Sequence, residues 1–215
     1  MHLRHQSRSA SRGVTLIEVL VAMVVMSIGM LGIAGLQAAT TKFQQGSRVR
    51  GLMAPLLSDI ANRVRSNSEE AGSSAATGAG SAYPSAYVLS DSWATQQSAT
   101  LSIATNCETG STSCSTSDRA TFDMTAWRQR VRAAMPQGAA LLEGDRTNGF
   151  RVTFMWFDKQ LTDKGNASDS VLVKSPVCST AAETAGSNRM GQQNCCPEEA
   201  SAPEGVRCNR FSFIP

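Results

Sequence analysis

One carboxylate stands in a part of the sequence where a charge is costly. Glu18 is the only charged residue in a run of apolar and small side chains at residues 14–36. Such a run can cross a bilayer, since about 20 helical residues at ~1.5 Å each cover the ~30 Å hydrocarbon core. A carboxylate in hydrocarbon costs about 2.5 kcal/mol or more and is usually retained to meet a partner. Glu18 is therefore a candidate for pairing with a positive charge.

Six cysteines form the second chemically distinctive group, and all lie beyond the apolar run: Cys107, Cys114, Cys178, Cys195, Cys196 and Cys208. An even number in a chain exported across a membrane predicts disulfides formed in an oxidising compartment. Cys107 with Cys114 would close one polar loop, and the other four would join the C-terminal region in a pairing that the sequence leaves open. A four-thiolate metal site is the alternative, although no pair has the two-residue gap of zinc ribbons.

The charges and histidines are unevenly distributed. Both histidines, His2 and His5, and three of the 20 basic residues precede Gly13, whereas none of the 17 acidic residues does. The remaining chain thus has 17 basic and 17 acidic side chains, which gives no electrostatic reason to expect nucleic acid as a partner. Without histidine, this part excludes Ser/His and Cys/His catalysis and every histidine-containing zinc site. We expect no enzyme activity, no cofactor and no metal.

Three segments precede the main part of the globular domain. Residues 1–13 are basic and serine-rich, and residues 14–66 predict one long helix, transmembrane at 14–36 and amphipathic at 37–66. Its apolar stripe recurs at steps of three and four: Leu36, Ala39, Phe43, Gly46, Val49, Met53, Leu56, Ile60 and Val64. Residues 67–86 are dominated by Ser, Ala and Gly and predict a linker at the start of a globular domain that covers residues 67–215.

The pattern beyond the linker predicts a small α+β body. FRVTFMWF at residues 150–157 is the strongest strand pattern of the chain, and further strands are expected at residues 100–105, 171–173 and 211–214. Between the strands expected at residues 100–105 and 150–157, Asp123 is expected to cap a helix whose apolar residues recur at four-residue spacing. Phe150, Val152, Phe154 and Trp156 would share one face of the strand, and the apolar Met155 and Phe157 predict that part of the other face is covered too.

The stretch SRGVTLIEVLVAMVVMSIGMLGIAGLQ at residues 11–37 resembles the class III leader of type IV prepilins: a basic leader ending in glycine, one residue, then Thr-Leu-Ile-Glu and an apolar helix. In that family a peptidase cuts after the glycine and methylates the new amine. By position, this resemblance implies a cut between Gly13 and Val14, methylation of Val14, and a Glu18 that pairs with the amine of a neighbouring subunit. Val14 stands where family members usually have phenylalanine.

Further segments are similar to PilV-type minor pilins, namely SDIANRVRSN at residues 58–67 and DMTAWRQRVRAAMPQG at residues 123–138. The resemblance implies the α+β type IV pilin fold, in which a long N-terminal helix packs on a small antiparallel sheet. It implies a single-pass protein of the bacterial inner membrane that is then built into a type IV pilus, where it serves pilus biogenesis, adhesion or twitching motility. The implied partners are other major and minor pilins, the prepilin peptidase and methylase, and the inner-membrane assembly machinery.

Several alternatives stay open. A cleaved secretory signal has a shorter apolar region and no acid near its start, and a plain signal anchor leaves Glu18 unexplained. A pseudopilin of a type II secretion system shares the leader and the helix. A membrane-anchored enzyme or binding domain would use the helix only as an anchor. Its candidate acid pairs are Asp158 with Asp163 and Glu198 with Glu199, which are more simply explained as solvated loop charges.

Overall fold

The structure, a computed structural model, describes residues 13–71, 86–109, 113–163, 171–178 and 189–215. Two compact units, Met1–Arg48 and Val49–Pro215, divide the chain. Helix α1 (Leu16–Ser66) contributes to both units. The second unit holds helices α2 (Ser68–Ala71), α3 (Trp93–Ser98), α4 (Thr116–Ala134) and α5 (Arg189–Asn194), a 3-10 turn at Glu198–Ala200, and strands β1 (Ala139–Asp145), β2 (Gly149–Phe157) and β3 (Val206–Phe213).

The three strands form one antiparallel sheet in the order β1, β2, β3. A tight turn joins β1 to β2, and the Asp145 carboxylate caps it by accepting the backbone N–H groups of Thr147 and Asn148 at 2.7 and 2.8 Å. Gly144 enters this turn at a φ of 111°, and a Cβ there would lie 2.1 Å from the carbonyl oxygen of Gly149. Only glycine fits such a position without strain. The predicted α+β class, a long N-terminal helix with a small antiparallel sheet, is confirmed.

One face of the sheet is covered by the second half of α1 and by α4. The side chains of β2 that point to this side, Phe150, Val152, Phe154 and Trp156, are all buried against residues that recur at three- and four-residue spacing on the two helices. The indole N–H of Trp127 in α4 donates a 2.9 Å hydrogen bond to the carbonyl oxygen of Leu56 in α1. The part of the predicted stripe that is buried begins at Val49, whereas Phe43 is 78% exposed in the single chain.

The other face of the sheet carries a smaller core. Leu141, Met155 and Val206 from the three strands pack there with Trp93 of α3 and Ala200 of the 3-10 turn. The disulfide between Cys196 and Cys208 lies in the same cluster and joins the segment before the 3-10 turn to β3. Burial on both faces makes β2 the central strand in packing as well as in order.

Helix α4 begins earlier than expected. Its N-cap is Ser115, whose hydroxyl accepts the N–H of Asp118 while the Asp118 carboxylate accepts the N–H of Ser115. This reciprocal capping box satisfies two backbone donors at the helix start. The prediction that Asp123 caps the helix is wrong, because Asp123 lies inside α4, is 6% exposed, and faces Arg63 of α1.

Two expected strands are absent from the described residues. At residues 100–105 the backbone forms no strand, since Gln129 of α4 donates to the carbonyl oxygen of Leu101 and ties this segment to a helix. At residues 171–173 there is an isolated bridge between Leu172 and Thr162. The strand expected at residues 211–214 exists but is longer, as β3. In the predicted linker, α2 occupies its start, and residues 72–85 lie outside the described residues.

Candidate functional site

The predicted cut lies just before helix α1. Gly13, Val14 and Thr15 are not helical, and α1 begins at Leu16. Val14 is 74% exposed, and none of the described residues approaches within 4 Å of the place where a Cβ of Gly13 would stand. A peptidase needs an accessible peptide bond outside a helix, because a helical bond is held by its hydrogen-bonded turn. The bond between Gly13 and Val14 lies outside α1 and between exposed residues.

Glu18 lies in the first turn of α1 and binds the residue that precedes the helix. Its Oε2 accepts the backbone N–H of Thr15 at 2.9 Å and the Thr15 hydroxyl at 3.0 Å. Thr15 in turn provides the carbonyl oxygen for the N–H groups of Glu18 and Val19, at 3.1 and 3.3 Å. This is the carboxylate half of a capping box, placed at the positive end of the helix dipole. Among the described residues, nothing donates a hydrogen bond to Oε1.

Thr15 is the site residue that the sequence interpretation missed. Its spacing to Glu18 is that of a capping box, in which a Ser or Thr is followed three residues later by Glu or Gln. That pattern was available in the sequence, but Glu18 was interpreted only as a charge in hydrocarbon. The carboxylate therefore has an intramolecular role at the helix start, and one of its oxygens is still open to a second partner.

The helix that follows is apolar on all sides. Large apolar side chains from Val14 to Leu36 are exposed in the single chain, including Leu16 at 80% and Leu31 at 73%. In the described part of the chain, α1 is the one helix long and apolar enough to cross a membrane. An all-round apolar surface needs a lipid or protein environment. Glu18 lies within this surface, one turn from its N-terminal end.

All six cysteines are in disulfides, which join Cys107 to Cys114, Cys178 to Cys195, and Cys196 to Cys208. The structure thus assigns the C-terminal pairing that the sequence left open. None of the described residues forms a cluster of three or more His, Cys, Asp or Glu side chains suited to a metal ion.

None of the four acids considered for catalysis is buried. The Asp158 carboxylate lies 2.5 Å from Nε of Arg207 and also accepts the backbone N–H of Gln160 at 2.8 Å. Asp163 is exposed, as are Glu198 and Glu199 in the 3-10 turn. One acid paired with an arginine and three exposed acids are typical of surface charges.

A polar network buried between α1 and α4 was not predicted. Nη1 of Arg63 lies 2.5 Å from Oδ1 of Asp123, and the Tyr87 hydroxyl donates to Oδ2 of Asp123 at 2.8 Å. Asn67 donates to the Tyr87 oxygen at 3.1 Å. Burial raises the pKa of Tyr87 well above its ordinary value, so its hydroxyl stays protonated and can donate. The signal for this network is an acid in the apolar face of α4, which needs a buried cation.

A protein-family model described as the prokaryotic N-terminal methylation motif matches residues 8–34. The matched range contains the predicted cut after Gly13, the cap formed by Thr15 and Glu18, and most of the apolar run. No curated protein and no solved structure matches the chain. The motif is therefore the comparison that bears on function, and it falls on the same residues as the geometry at the start of α1.

Proposed function

We propose that this chain, a type IV pilin-like prepilin by its methylation motif, is a minor pilin of the PilV type that is built into a type IV pilus. The motif implies processing by a prepilin peptidase and assembly with other pilins, and the fold is consistent with the α+β type IV pilin fold. The observation that carries the proposal is a capped carboxylate, Glu18, at the start of an exposed apolar helix. The minor role rests on the similarity of residues 58–67 and 123–138 to PilV-type pilins.

Cleavage between Gly13 and Val14 gives Glu18 a chemical partner. It creates an ammonium group at Val14, four residues before the carboxylate. In prepilins the peptidase that makes the cut also methylates this new amine. Each charge is costly alone in hydrocarbon, and a pair between neighbouring subunits removes much of that cost. Thr15 binds Oε2, and none of the described residues donates to Oε1, so Oε1 can accept the Val14 ammonium of the next subunit and thereby set the stagger between helices.

Before assembly the protein is expected to cross the inner membrane once through residues 14–36, with the body on the outer side. After assembly it is expected at the cell surface, where it supports pilus biogenesis, adhesion or twitching motility. The body acts by assembly and has no catalysis of its own, a proposal supported by the arginine partner of Asp158 and the absence of histidine after Gly13. No cofactor or metal is required.

Two substitutions separate the charge of Glu18 from its capping role. Glu18→Ala removes both the charge and the cap, whereas Glu18→Gln keeps an oxygen that can accept the Thr15 N–H. If Glu18 pairs with an ammonium, the amount of each variant in sheared pili, measured by quantitative immunoblot, is expected to be at least tenfold lower than that of the parent protein. Neither change adds polarity to the helix, so both variants are expected to stay in the membrane fraction.

Intact-mass spectrometry of the same membrane samples provides the control for processing. Each variant is expected to begin at a methylated Val14, which separates failed assembly from failed cleavage. If Glu18→Gln enters pili as well as the parent protein while Glu18→Ala does not, the cap and not the charge is what assembly needs. Normal incorporation of both variants would rule out any assembly role for Glu18.

A pseudopilin of a type II secretion system is the alternative function, since the leader and helix are common to both classes. A deletion strain distinguishes them. Loss of surface pili or of twitching motility with normal protein secretion is expected for the minor pilin. Blocked secretion with normal pili would instead assign the chain to a secretion pseudopilus.

A further inference from the structure

The disulfide between Cys178 and Cys195 differs from the other two because a cation touches both of its sulfurs. Nη1 of Arg210 lies 3.1 Å from Sγ of Cys178 and 3.4 Å from Sγ of Cys195. Arg210 belongs to β3, where it stands opposite Thr153 of β2. Among the described residues, no hydrogen bond or ion pair links a cationic side chain to the sulfurs of the other two disulfides.

A guanidinium contributes little to an intact disulfide, whose sulfurs are neutral, but it stabilises a thiolate. Thiolates next to arginine have pKa values well below the ordinary value of about 8.5, and a thiol that ionises readily is a good leaving group. The free energy of the reduced state is lowered, while that of the disulfide is almost unchanged. A disulfide with a cation at its sulfurs is therefore easier to reduce than one without.

The surroundings of Cys195 add to this effect. Its sulfur lies 3.3 Å from the carbonyl oxygen of Gln192, one turn earlier in the chain. After reduction, a Cys195 thiol can donate its S–H to that oxygen, while the Cys178 thiolate keeps the closer contact to Arg210. Both released sulfurs thus find partners that are already in place, which favours the reduced form.

Access favours the same disulfide over its neighbour in the sequence. Cys178 is half-buried, so a small dithiol can approach its sulfur. Cys196 and Cys208 are each 2% exposed and lie in the core on the second face of the sheet. Cys195 is 5% exposed, so access to the first disulfide is through Cys178, whereas both cysteines of the second disulfide are enclosed in apolar contacts.

We propose that Cys178 and Cys195 form a redox-sensitive site, in which Arg210 makes this disulfide selectively reducible by dithiols. A thiolate of the dithiol attacks Sγ of Cys178, the S–S bond breaks, and its electron pair passes to the Cys195 sulfur. The second thiol of the reagent then displaces Cys178 and closes the reagent's own disulfide. The protein gains two electrons, the dithiol loses two, and the protons come from its two thiols.

Reduction at this site opens one loop without loosening the sheet. The two cysteines are 17 residues apart and enclose helix α5. The intact disulfide from Cys196 to Cys208 continues to hold the chain after α5 on β3. Reduction therefore separates Cys178 from Cys195 at the end of α5, while Cys196 remains linked to β3.

Thiol mapping on the full-length chain in detergent tests the proposal. The protein is equilibrated at pH 8 with graded dithiothreitol, free thiols are blocked with N-ethylmaleimide, and blocked cysteines are assigned by peptide mass spectrometry. Cys178 and Cys195 are expected to reach half reduction at roughly tenfold lower dithiothreitol than Cys196 and Cys208, the scale of a thiolate pKa lowered by one to two units. Equal or reversed midpoints would overturn the proposal.

Three variants assign the effect to the charge of Arg210. Arg210→Gln is expected to raise the dithiothreitol concentration at which Cys178 and Cys195 are half reduced several-fold. Arg210→Lys keeps the charge and is expected to bring this concentration most of the way back to that of the parent protein. Arg207→Gln is the matched control, because it removes a cation from the same strand that pairs with Asp158 instead. An Arg210→Gln midpoint equal to that of the parent protein would show that access alone decides reducibility. Cys196 and Cys208 in the same sample report whether the sheet remains intact.

Discussion

Asp123→Ala is expected to lower the free energy of unfolding of the body by about 3–5 kcal/mol, the usual cost of removing one partner from a buried ion pair. Arg63 and Asp123 are 13% and 9% exposed at their side chains, and their charged atoms lie 2.5 Å apart. Without the carboxylate, the guanidinium keeps the partly exposed Asp59 at 3.0 Å and the 60% exposed Glu108 at 3.7 Å as anionic partners. The Tyr87 hydroxyl also loses the acceptor at 2.8 Å.

The measurement is urea unfolding of the detergent-solubilised chain, followed by tryptophan fluorescence. All three tryptophans of the chain, Trp93, Trp127 and Trp156, are buried in the second unit and so report on the body. Arg130→Ala is the matched control. It breaks the pair between Arg130 and Asp59, in which the arginine is 52% exposed, and is expected to cost less than about 1 kcal/mol.

A double variant separates an unpaired charge from a loss of packing. Arg63→Met with Asp123→Leu replaces both charges by apolar side chains of similar size, and such exchanges are often neutral or even stabilising. The double variant is therefore expected to recover most of the stability that Asp123→Ala loses. If Asp123→Ala costs no more than Arg130→Ala, the network between α1 and α4 contributes nothing particular to stability.

The elements with a strong local pattern could be predicted from the sequence. Helix α1 follows from an unbroken apolar run and a regular stripe, and β2 follows from its alternation at residues 150–157. Strand β1 was missed because its first four residues, from Ala139 to Leu142, are buried on both faces of the sheet and show no alternation. Such a strand has an apolar run shorter than a helix and no periodicity to identify it.

Tertiary contacts decided the elements that were predicted wrongly. The alternation at residues 100–105 is typical of a strand, but the side chain of Gln129 takes the carbonyl oxygen of Leu101. Asp123 has the residue type of a cap, but Ser115 caps α4 eight residues earlier, and Asp123 instead pairs with a cation 60 residues earlier in the chain. The pairing of the last four cysteines has three possible solutions, and the arrangement of the segments around β3 selects one.

The candidate site was easier to predict than the body because it is linear. Gly13, Val14 and Glu18 lie within six residues, so the spacing alone indicates their chemistry. The sequence interpretation nevertheless missed the capping-box spacing by which Thr15 binds the carboxylate, and this contact changes how Glu18→Ala must be interpreted. The same local logic does not extend to Arg210, whose contact with the disulfide of Cys178 and Cys195 depends on the fold of three separate segments.

Trp127→Ala is the second substitution with a large expected effect, a loss of about 3–5 kcal/mol in the free energy of unfolding. Trp127 is fully buried between α1 and the sheet, and its ring lies 6.0 Å from that of Phe154. Its indole N–H donates the 2.9 Å hydrogen bond to the carbonyl oxygen of Leu56 that links α4 to α1. Truncation leaves a large cavity at the point where three elements meet, and it removes that hydrogen bond as well.

Trp127→Phe divides the loss between volume and hydrogen bonding. The phenylalanine variant keeps most of the ring and loses the N–H. Its loss in the free energy of unfolding is therefore expected to be smaller than that of Trp127→Ala, by about 1–3 kcal/mol. Trp93 and Trp156 remain as fluorescent probes of the body in both variants. Ile214→Ala is the control for removing a large apolar side chain at the surface, since Ile214 is 76% exposed, and it is expected to change stability by less than about 0.5 kcal/mol. Phe211 and Phe213 beside it are half-buried against the same core, so a larger loss of stability in Ile214→Ala would mean that the core extends past the end of β3. If Trp127→Ala loses no more stability than Ile214→Ala, Trp127 does not have a central place in packing α1 on the sheet.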